Sequence, residues 1–373
     1  MITIKEVKSF RDGWRFTEFP NHLYRHVDPY VPALSLDERH VFNPKINPVH
    51  EYCESIRFLA FKDKKLVGRI AGIINHKIND AFQMKQARFT RIDMVDDLEV
   101  TKALIKAVED WAKAKGMTEL IGPIGFTDLD RQGMLVEGFD QLNMFITIYN
   151  HPYYHHHLET LGFIKDADWV EKKIFWPKEI SDKVKRGAEI SRKRYGYQLV
   201  KVKKRKEIYR YVYEAFDVYN IAFQELYGFF PITKKVMDYY IKQMIQMVHL
   251  DYIFFILDKE GKMAGFTLIM PSLAMATKKN NGKLLPFGWM RYLKAMKNYD
   301  IMDLYFIAIG PEHQGKGIIA IMWEDGIQLG IDRKTLYAET GPELENNEKI
   351  LNQWKDFETE QHKRRRCYKR PIQ

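Results

Sequence analysis

The chain has 373 residues, 46% of them apolar and 29% charged, with a formal net charge of +10. That balance belongs to a folded globular protein and excludes a disordered or collagen-like chain. No apolar run approaches the ~18 residues of a spanning helix, and two distant cysteines, Cys53 and Cys367, exclude a disulfide framework or a zinc cluster. The N-terminus reads as a strand rather than a signal peptide, so a cytoplasmic, reducing location with no membrane partner is expected.

In chain order, the first half reads as a strand over Thr3–Lys8, a helical stretch over Arg11–His26 and a hairpin within Arg57–Asn75. A strand over Ala87–Val95, a helix over Leu98–Lys115, a strand over Thr118–Gly122 and a helix over Pro152–Leu161 follow. The connection Pro123–Tyr149 is long for a compact domain, and its apolar residues, Met134, Leu135, Phe139 and Phe145 among them, predict order. Asp128, Asp130, Arg131, Glu137 and Asp140 make it a candidate lining for a substrate pocket. His155-His156-His157 is not read as a metal site, because adjacent helical residues point apart.

Trp169–Phe175 alternates like a closing strand. From Lys172 to Arg210 there are 15 Lys/Arg against 4 Asp/Glu. Such a stretch attracts polyanions, but without aromatic RNA-binding motifs it reads first as a solvated linker and a charged edge strand. The second half then begins, with a strand over Gln198–Lys203 and helices over Lys206–Glu225 and Lys234–Val248.

The remaining elements repeat the first half. A shift of 197 residues lays the hairpin with Gly68 over one with Gly265, matching Phe58 to Phe255 and Lys62 to Lys259. A shift of 215 lays Phe89–Met94 and its following helix over Leu304–Ile309 and a helix around His313–Gly330. The strands Glu119–Gly122 and Lys334–Ala338 also align. An insertion near Ala274–Lys294, with Asn280-Asn281-Gly282 as a loop, accommodates the difference. Two α+β domains are expected, residues 1–178 and 179–373, with a boundary near Pro177–Arg194.

The segment richest in chemistry is the turn after Asp303–Ile309, running Gly310-Pro311-Glu312-His313-Gln314-Gly315-Lys316-Gly317. It falls where a strand gives way to a helix, and free amides at a helix N-terminus bind phosphate. Glycines allow close approach, and Lys316 adds a positive charge. The spacing is not that of a P-loop, and no Ser or Thr follows the lysine for magnesium.

Gln314-x-x-Gly317 after Ile307-Ala-Ile-Gly-Pro resembles motif A of the GCN5-related N-acetyltransferases (GNATs), Gln/Arg-x-x-Gly-x-Gly/Ala. Asp28-Pro-Tyr-Val-Pro, Leu135-Val-Glu-Gly-Phe-Asp and Tyr149-Asn-His-Pro-Tyr-Tyr resemble a bacterial group of tandem proteins of this kind. The resemblance implies an α+β fold of two tandem GNAT-like domains, each a mixed, mainly antiparallel sheet flanked by helices. It further implies an acyl-CoA co-substrate, acetyl-CoA first, and a small-molecule or peptide amine acceptor. Carried over residue by residue, Ile307 and Ile309 would pair with the pantetheine arm. Gln314, Gly315, Lys316, Gly317 and Ile318 would hold the pyrophosphate. Ile319 departs from the pattern, standing at the final Gly/Ala position, where a β-branched side chain is expected to crowd the diphosphate.

Acyl transfer to an amine needs a base and a donor for the developing charge. The resemblance implies Asp303 as base, with Glu339 as a second candidate. The family's acid, a tyrosine on the following helix, has no counterpart in Glu343–Phe357, leaving Tyr305 and Tyr337 as nearby substitutes. No metal site is expected. In the first copy the turn becomes Asp96-Asp97-Leu98-Glu99, whose carboxylates satisfy the helix dipole and repel a diphosphate, so that half reads as structural or substrate-binding. Two other functions fit the sequence: a catalytically silent GNAT-like binding protein, and a transferase that takes aminoacyl-tRNA through the basic stretch.

Overall fold

The computed structural model describes residues 1–245, 247–297 and 299–373. In chain order the elements are β1 (Ile2–Glu6), α1 (Phe10–Leu23), α2 (Ser35–Val41), β2 (Cys53–Lys62), β3 (Lys65–Asn75) and α3 (His76–Ala81). Then come β4 (Gln86–Met94), α4 (Leu98–Ala114), β5 (Glu119–Gly122), β6 (Met134–Glu137), α5 (Tyr153–Thr160) and β7 (Ile164–Phe175). They continue as α6 (Asp182–Tyr195), β8 (Gln198–Lys201), α7 (Arg205–Ile208), α8 (Val212–Ala222), α9 (Lys234–Met244), β9 (Ile253–Leu257) and β10 (Met263–Pro271). The last are α10 (Ala274–Lys279), α11 (Gly288–Lys297), β11 (Ile301–Ile309), α12 (Ile318–Arg333), β12 (Tyr337–Thr340), β13 (Glu343–Leu344), α13 (Glu348–Asn352) and β14 (Thr359–Pro371).

The chain forms two compact units. The first comprises Met1–Val170, Leu273–Tyr292 and His362–Gln373; the second comprises Glu171–Ser272 and Leu293–Gln361. The sequence reading cut the chain once, after residue 178. The units instead exchange two segments, because the insertion and the last strand leave the second half to complete the first unit.

In the first unit the strand order is β1-β2-β3-β4-β5-β14, with β4 and β5 parallel and the other neighbours antiparallel. Apolar residues four apart on α4, Val100, Leu104 and Val108, are fully buried, the stripe an amphipathic helix turns to its sheet. Gly72 on β3 permits this approach: a Cβ there would meet Val108 and Trp111 at 3.0 Å.

In the second unit the order is β8-β9-β10-β11-β12-β7, with only β11 and β12 parallel. Both units therefore carry a mixed, mainly antiparallel sheet with helices packed on it. The repeat extends to a defect. Register slips by one residue between Arg69 and Ala71 opposite β4, and between Leu268 and Ile269 opposite β11, so each copy bulges in the same part of its hairpin strand. Bulges bend a strand and re-aim its side chains.

Several elements differ from their expected positions, among them three around the glycine-rich turn. The stretch read as a linker is largely α6, fourteen residues long and capped by Ser181, whose Oγ accepts the Val184 N–H. The helix expected from His313 starts at Ile318, because Gly315 and Gly317 hold left-handed φ angles of 73° and 78° that no helix continues through. Lys334 ends that helix in a left-handed conformation, so β12 begins only at Tyr337.

Candidate functional site

The site begins where two strands part. β12 pairs with β11 only from Ile301↔Tyr337 to Leu304↔Thr340, and Gly341 N–H donates to Leu304 O at 3.1 Å. β10 stays with β11 as far as Ile309. Gly310 N–H donates to Ala264 O at 2.9 Å, so the even-numbered residues Phe306 and Ala308 turn their main-chain groups toward β10. By the two-residue alternation of a strand, Ile307 and Ile309 turn theirs the other way, into the wedge left by β12.

The chain next makes a 3-10 turn at Pro311–His313 and runs through Gln314, Gly315, Lys316 and Gly317 into α12. Gly317 is the N-cap and supplies no side-chain hydrogen bond, leaving the first amides of α12 to another acceptor. A Cβ added at Gly315 would meet nothing within 4 Å, so the loop is open there. Gln314 Nε2 donates back to Ile309 O at 3.5 Å. Ile319 packs against the apolar cluster that includes Leu304, Trp323 and Trp354.

α6 braces this loop. Ser191, fully buried, donates its hydroxyl to Lys316 O at 2.8 Å. Gly187 lets the two helices close up, since a Cβ there would lie 3.0 Å from Ala320 Cβ. Arg192 pairs with Glu324, Lys201 with Asp325, Lys183 with Asp356 and Lys193 with Glu189. These pairs match four of the fifteen basic residues of the stretch to carboxylates, and α6 is a packed helix rather than a linker.

The candidate carboxylates come together. Asp303 on β11 is the register partner of Glu339 on β12; both are buried, and a Glu339 oxygen lies within 4.8 Å of one from Glu171. Tyr305 sits half-buried at the bulge. Burial, helped by the charges of Glu339 and Asp303, pushes the Tyr337 phenol up to about 12, so it stays protonated. Only Glu348–Asn352 of the expected acid-bearing helix is helical.

Sequence reasoning missed Glu343. Its two oxygens accept the Trp354 indole N–H at 2.9 and 3.1 Å, and burial pushes its carboxyl up to about 7. The signal was faint: a lone glutamate two residues beyond a Gly, with its tryptophan eleven residues on.

The same place in the first unit is closed. Val95 N–H donates to Val67 O at 3.0 Å, the counterpart of the Gly310–Ala264 bond, which makes Met94 the counterpart of Ile309. Met94 N–H donates to the Tyr154 hydroxyl at 2.9 Å, and the Tyr153 hydroxyl donates to Met94 O at 2.7 Å. Behind them Tyr24 bonds Tyr154 at 2.7 Å and donates to Asp93 at 2.8 Å, and Asp93 takes Arg69 Nε at 2.7 Å. Asp97 caps α4 by accepting the Glu99 N–H at 3.0 Å, while Lys62 holds its other oxygen at 2.7 Å. Within Pro123–Tyr149, Asp130 accepts from Arg91 at 3.2 Å and from Phe126 N–H at 2.9 Å, and Arg131 donates to Phe145 O at 2.8 Å. This loop is ordered by its own charges.

A strand pair that splays beside a glycine-led helix N-terminus, open in the second unit and closed by side chains in the first, is the geometry the sequence resemblance implied. Among solved structures, a tandem GNAT protein from the clavulanic acid biosynthesis pathway superposes on this chain with a TM-score of 0.57. The match covers 100% of this chain and 99% of that one at 11% identity. The chain has a tandem GNAT-like fold.

No family model matches the chain. Two curated proteins are similar to this tandem GNAT-like chain in sequence. Protein YghO of Escherichia coli K12 is 27% identical over 96% of this chain and 92% of its own length. The bacterial ceramide synthase of Caulobacter vibrioides is 27% identical over 79% of this chain and 77% of its own. Among the described residues no helix is long and apolar enough to cross a membrane.

Proposed function

We propose that the chain is an acyl-CoA-dependent N-acyltransferase whose donor binds the second unit. One observation carries the reading: the main-chain groups of Ile307 and Ile309 face a wedge that leads to an α12 N-terminus without a side-chain cap. In the corresponding place the first unit satisfies both with its own tyrosines and aspartate. Ile307 and Ile309 pair with the pantetheine amides, and the amides of Gly315 to Ile318, with Gln314 and Lys316, hold the pyrophosphate.

The thioester supplies an activated acyl group. Its C–S bond breaks as the C–N bond to the acceptor forms; the ammonium gives up a proton to a base, and the departing thiolate takes one. In this reading the Asp303–Glu339 pair is the base and Tyr305 the acid. The acceptor is a small amine. The relative named a ceramide synthase narrows the choice: a ceramide is the amide of a fatty acid and a long-chain amino alcohol. Long-chain amines and long-chain acyl donors are therefore the first to try, ahead of peptides and of aminoacyl-tRNA.

Isothermal titration with acetyl-CoA and a long-chain acyl-CoA tests the proposal. Saturable binding is expected, followed by thiol release on adding a long-chain amine. No binding of either donor at ~1 mM overturns it.

A further inference from the structure

The insertion that completes the first unit is built stiffly and faces outward with the wrong polarity for water. From Leu273 to Tyr292 the sequence holds four Lys/Arg and no Asp or Glu. One side of it is anchored. Ser35 N–H donates to Gly282 O at 3.0 Å, Lys278 pairs with Asp28 at 2.9 Å, and the buried Tyr292 hydroxyl donates to Thr277 Oγ1 at 2.6 Å. Asn280 Nδ2 closes the loop by donating to Gly288 O at 2.9 Å, and Arg291 donates to Asn280 Oδ1 at 2.6 Å.

Beside these anchors the segment exposes apolar side chains. Leu285 is 79% exposed, Phe287 72% and Trp289 48%, with Met290 beside them at 53%. A folded chain leaves such a run uncovered at a cost, and contiguous exposed apolar side chains mark an interaction surface. The Trp289 indole N–H donates to Pro286 O at 3.1 Å, so its polar atom is satisfied without water and the ring is free to enter an apolar phase. Lys279 and Lys283, on the same segment, are exposed as well.

We infer that this face docks the protein on an anionic lipid surface. Exposed aromatic and aliphatic side chains flanked by lysines are what an interfacial anchor needs. The apolar residues enter the headgroup boundary while the cations remain at the level of the phosphates. A second protein copy would present the same uniformly basic segment, so self-association through this face sets like charge against like. An acidic bilayer does not. The inference stands on this segment alone and does not need the acyltransferase reading.

The test is co-sedimentation of the full chain with phosphatidylcholine vesicles, with and without phosphatidylglycerol. The expected results are strong pelleting with mixed vesicles, at least tenfold weaker partition onto phosphatidylcholine alone, and weakening by added salt. Leu285→Ser with Phe287→Ser should lower the partition coefficient at least tenfold with an unchanged melting temperature, because neither side chain is buried. Lys279→Glu with Lys283→Glu should do the same by charge alone. Absence of binding to mixed vesicles overturns the inference, as does undiminished binding by both variants. A dimer in sedimentation velocity that Phe287→Ser dissociates also overturns it, in favour of a second copy on this face.

Discussion

Tyr154 accepts the main-chain N–H of Met94 at 2.9 Å, and the bond closes in the first unit the strand edge that Ile309 leaves open in the second. The two residues belong to one network, because the same hydroxyl meets Tyr24, which donates to Asp93. A duplicated fold has thus kept one wedge and filled the other. The filling is polar and fully buried, so its cost when broken is large and local.

Tyr154→Phe should destabilise the protein by about 1–3 kcal/mol, since it strands the Met94 N–H and removes a partner of Tyr24 in a dry site. Acyl-CoA affinity should not change. Chemical denaturation measures the first and calorimetric titration the second; a loss of affinity without a loss of stability would put a ligand in the first wedge.

The helix N-termini should respond oppositely to charge reversal. Lys316→Glu sets a carboxylate beside the pyrophosphate and should weaken acyl-CoA binding by about 1–3 kcal/mol, the scale of a charge-assisted hydrogen bond. Asp97→Lys should leave that affinity alone. It removes the cap on α4 and should lower stability by about 0.5–2 kcal/mol. If Asp97→Lys abolishes binding and Lys316→Glu is silent, the donor belongs to the other unit.

Ser191→Ala should loosen the bridge from α6 to Lys316 O. A lost neutral hydrogen bond is worth about 0.5–1.5 kcal/mol, and the expectation is that acyl-CoA affinity falls by that order. Threonine, which keeps the hydroxyl, should restore it in part. Equal affinity in Ser191→Ala would mean that α6 stabilises the unit without shaping the loop.

Glu343 gives the protein a pH-dependent weakness. Its carboxyl titrates near 7 in the folded chain against an ordinary 4.5, because burial penalises the charge. A raised acid stabilises the fold fully below the unfolded value, and that stability is lost as pH rises through 7. Glu343→Gln keeps an acceptor for the Trp354 indole and removes the titration. It should match wild type near pH 4 and exceed it by about 1–3 kcal/mol at pH 8. Denaturation curves across that range check it; parallel pH profiles for the two proteins would contradict the assignment.

The repeat was legible because register leaves marks in sequence. Gly68 and Gly265 recur where a helix or strand comes too close for a side chain, and Gly315 and Gly317 are required by left-handed φ angles. The closing of the first wedge was not legible. Tyr153 and Tyr154 lie some sixty residues from Met94, and nothing local ties them to it. Helix α6 was missed for a different reason: its buried positions, Ala188 and Ser191, are small and partly polar, so its packing on α12 leaves no apolar stripe. The buried pairs Arg69–Asp93 and Arg91–Glu38 leave no mark in the sequence, since only the fold brings each residue opposite its partner.

The central claim is that one wedge of two takes the donor, and binding stoichiometry tests it most directly. Titration of the full chain with acyl-CoA should give one site per chain, lost or strongly weakened in Lys316→Glu and intact in Tyr154→Phe. Two sites per chain, or one site that survives Lys316→Glu unchanged, would contradict it.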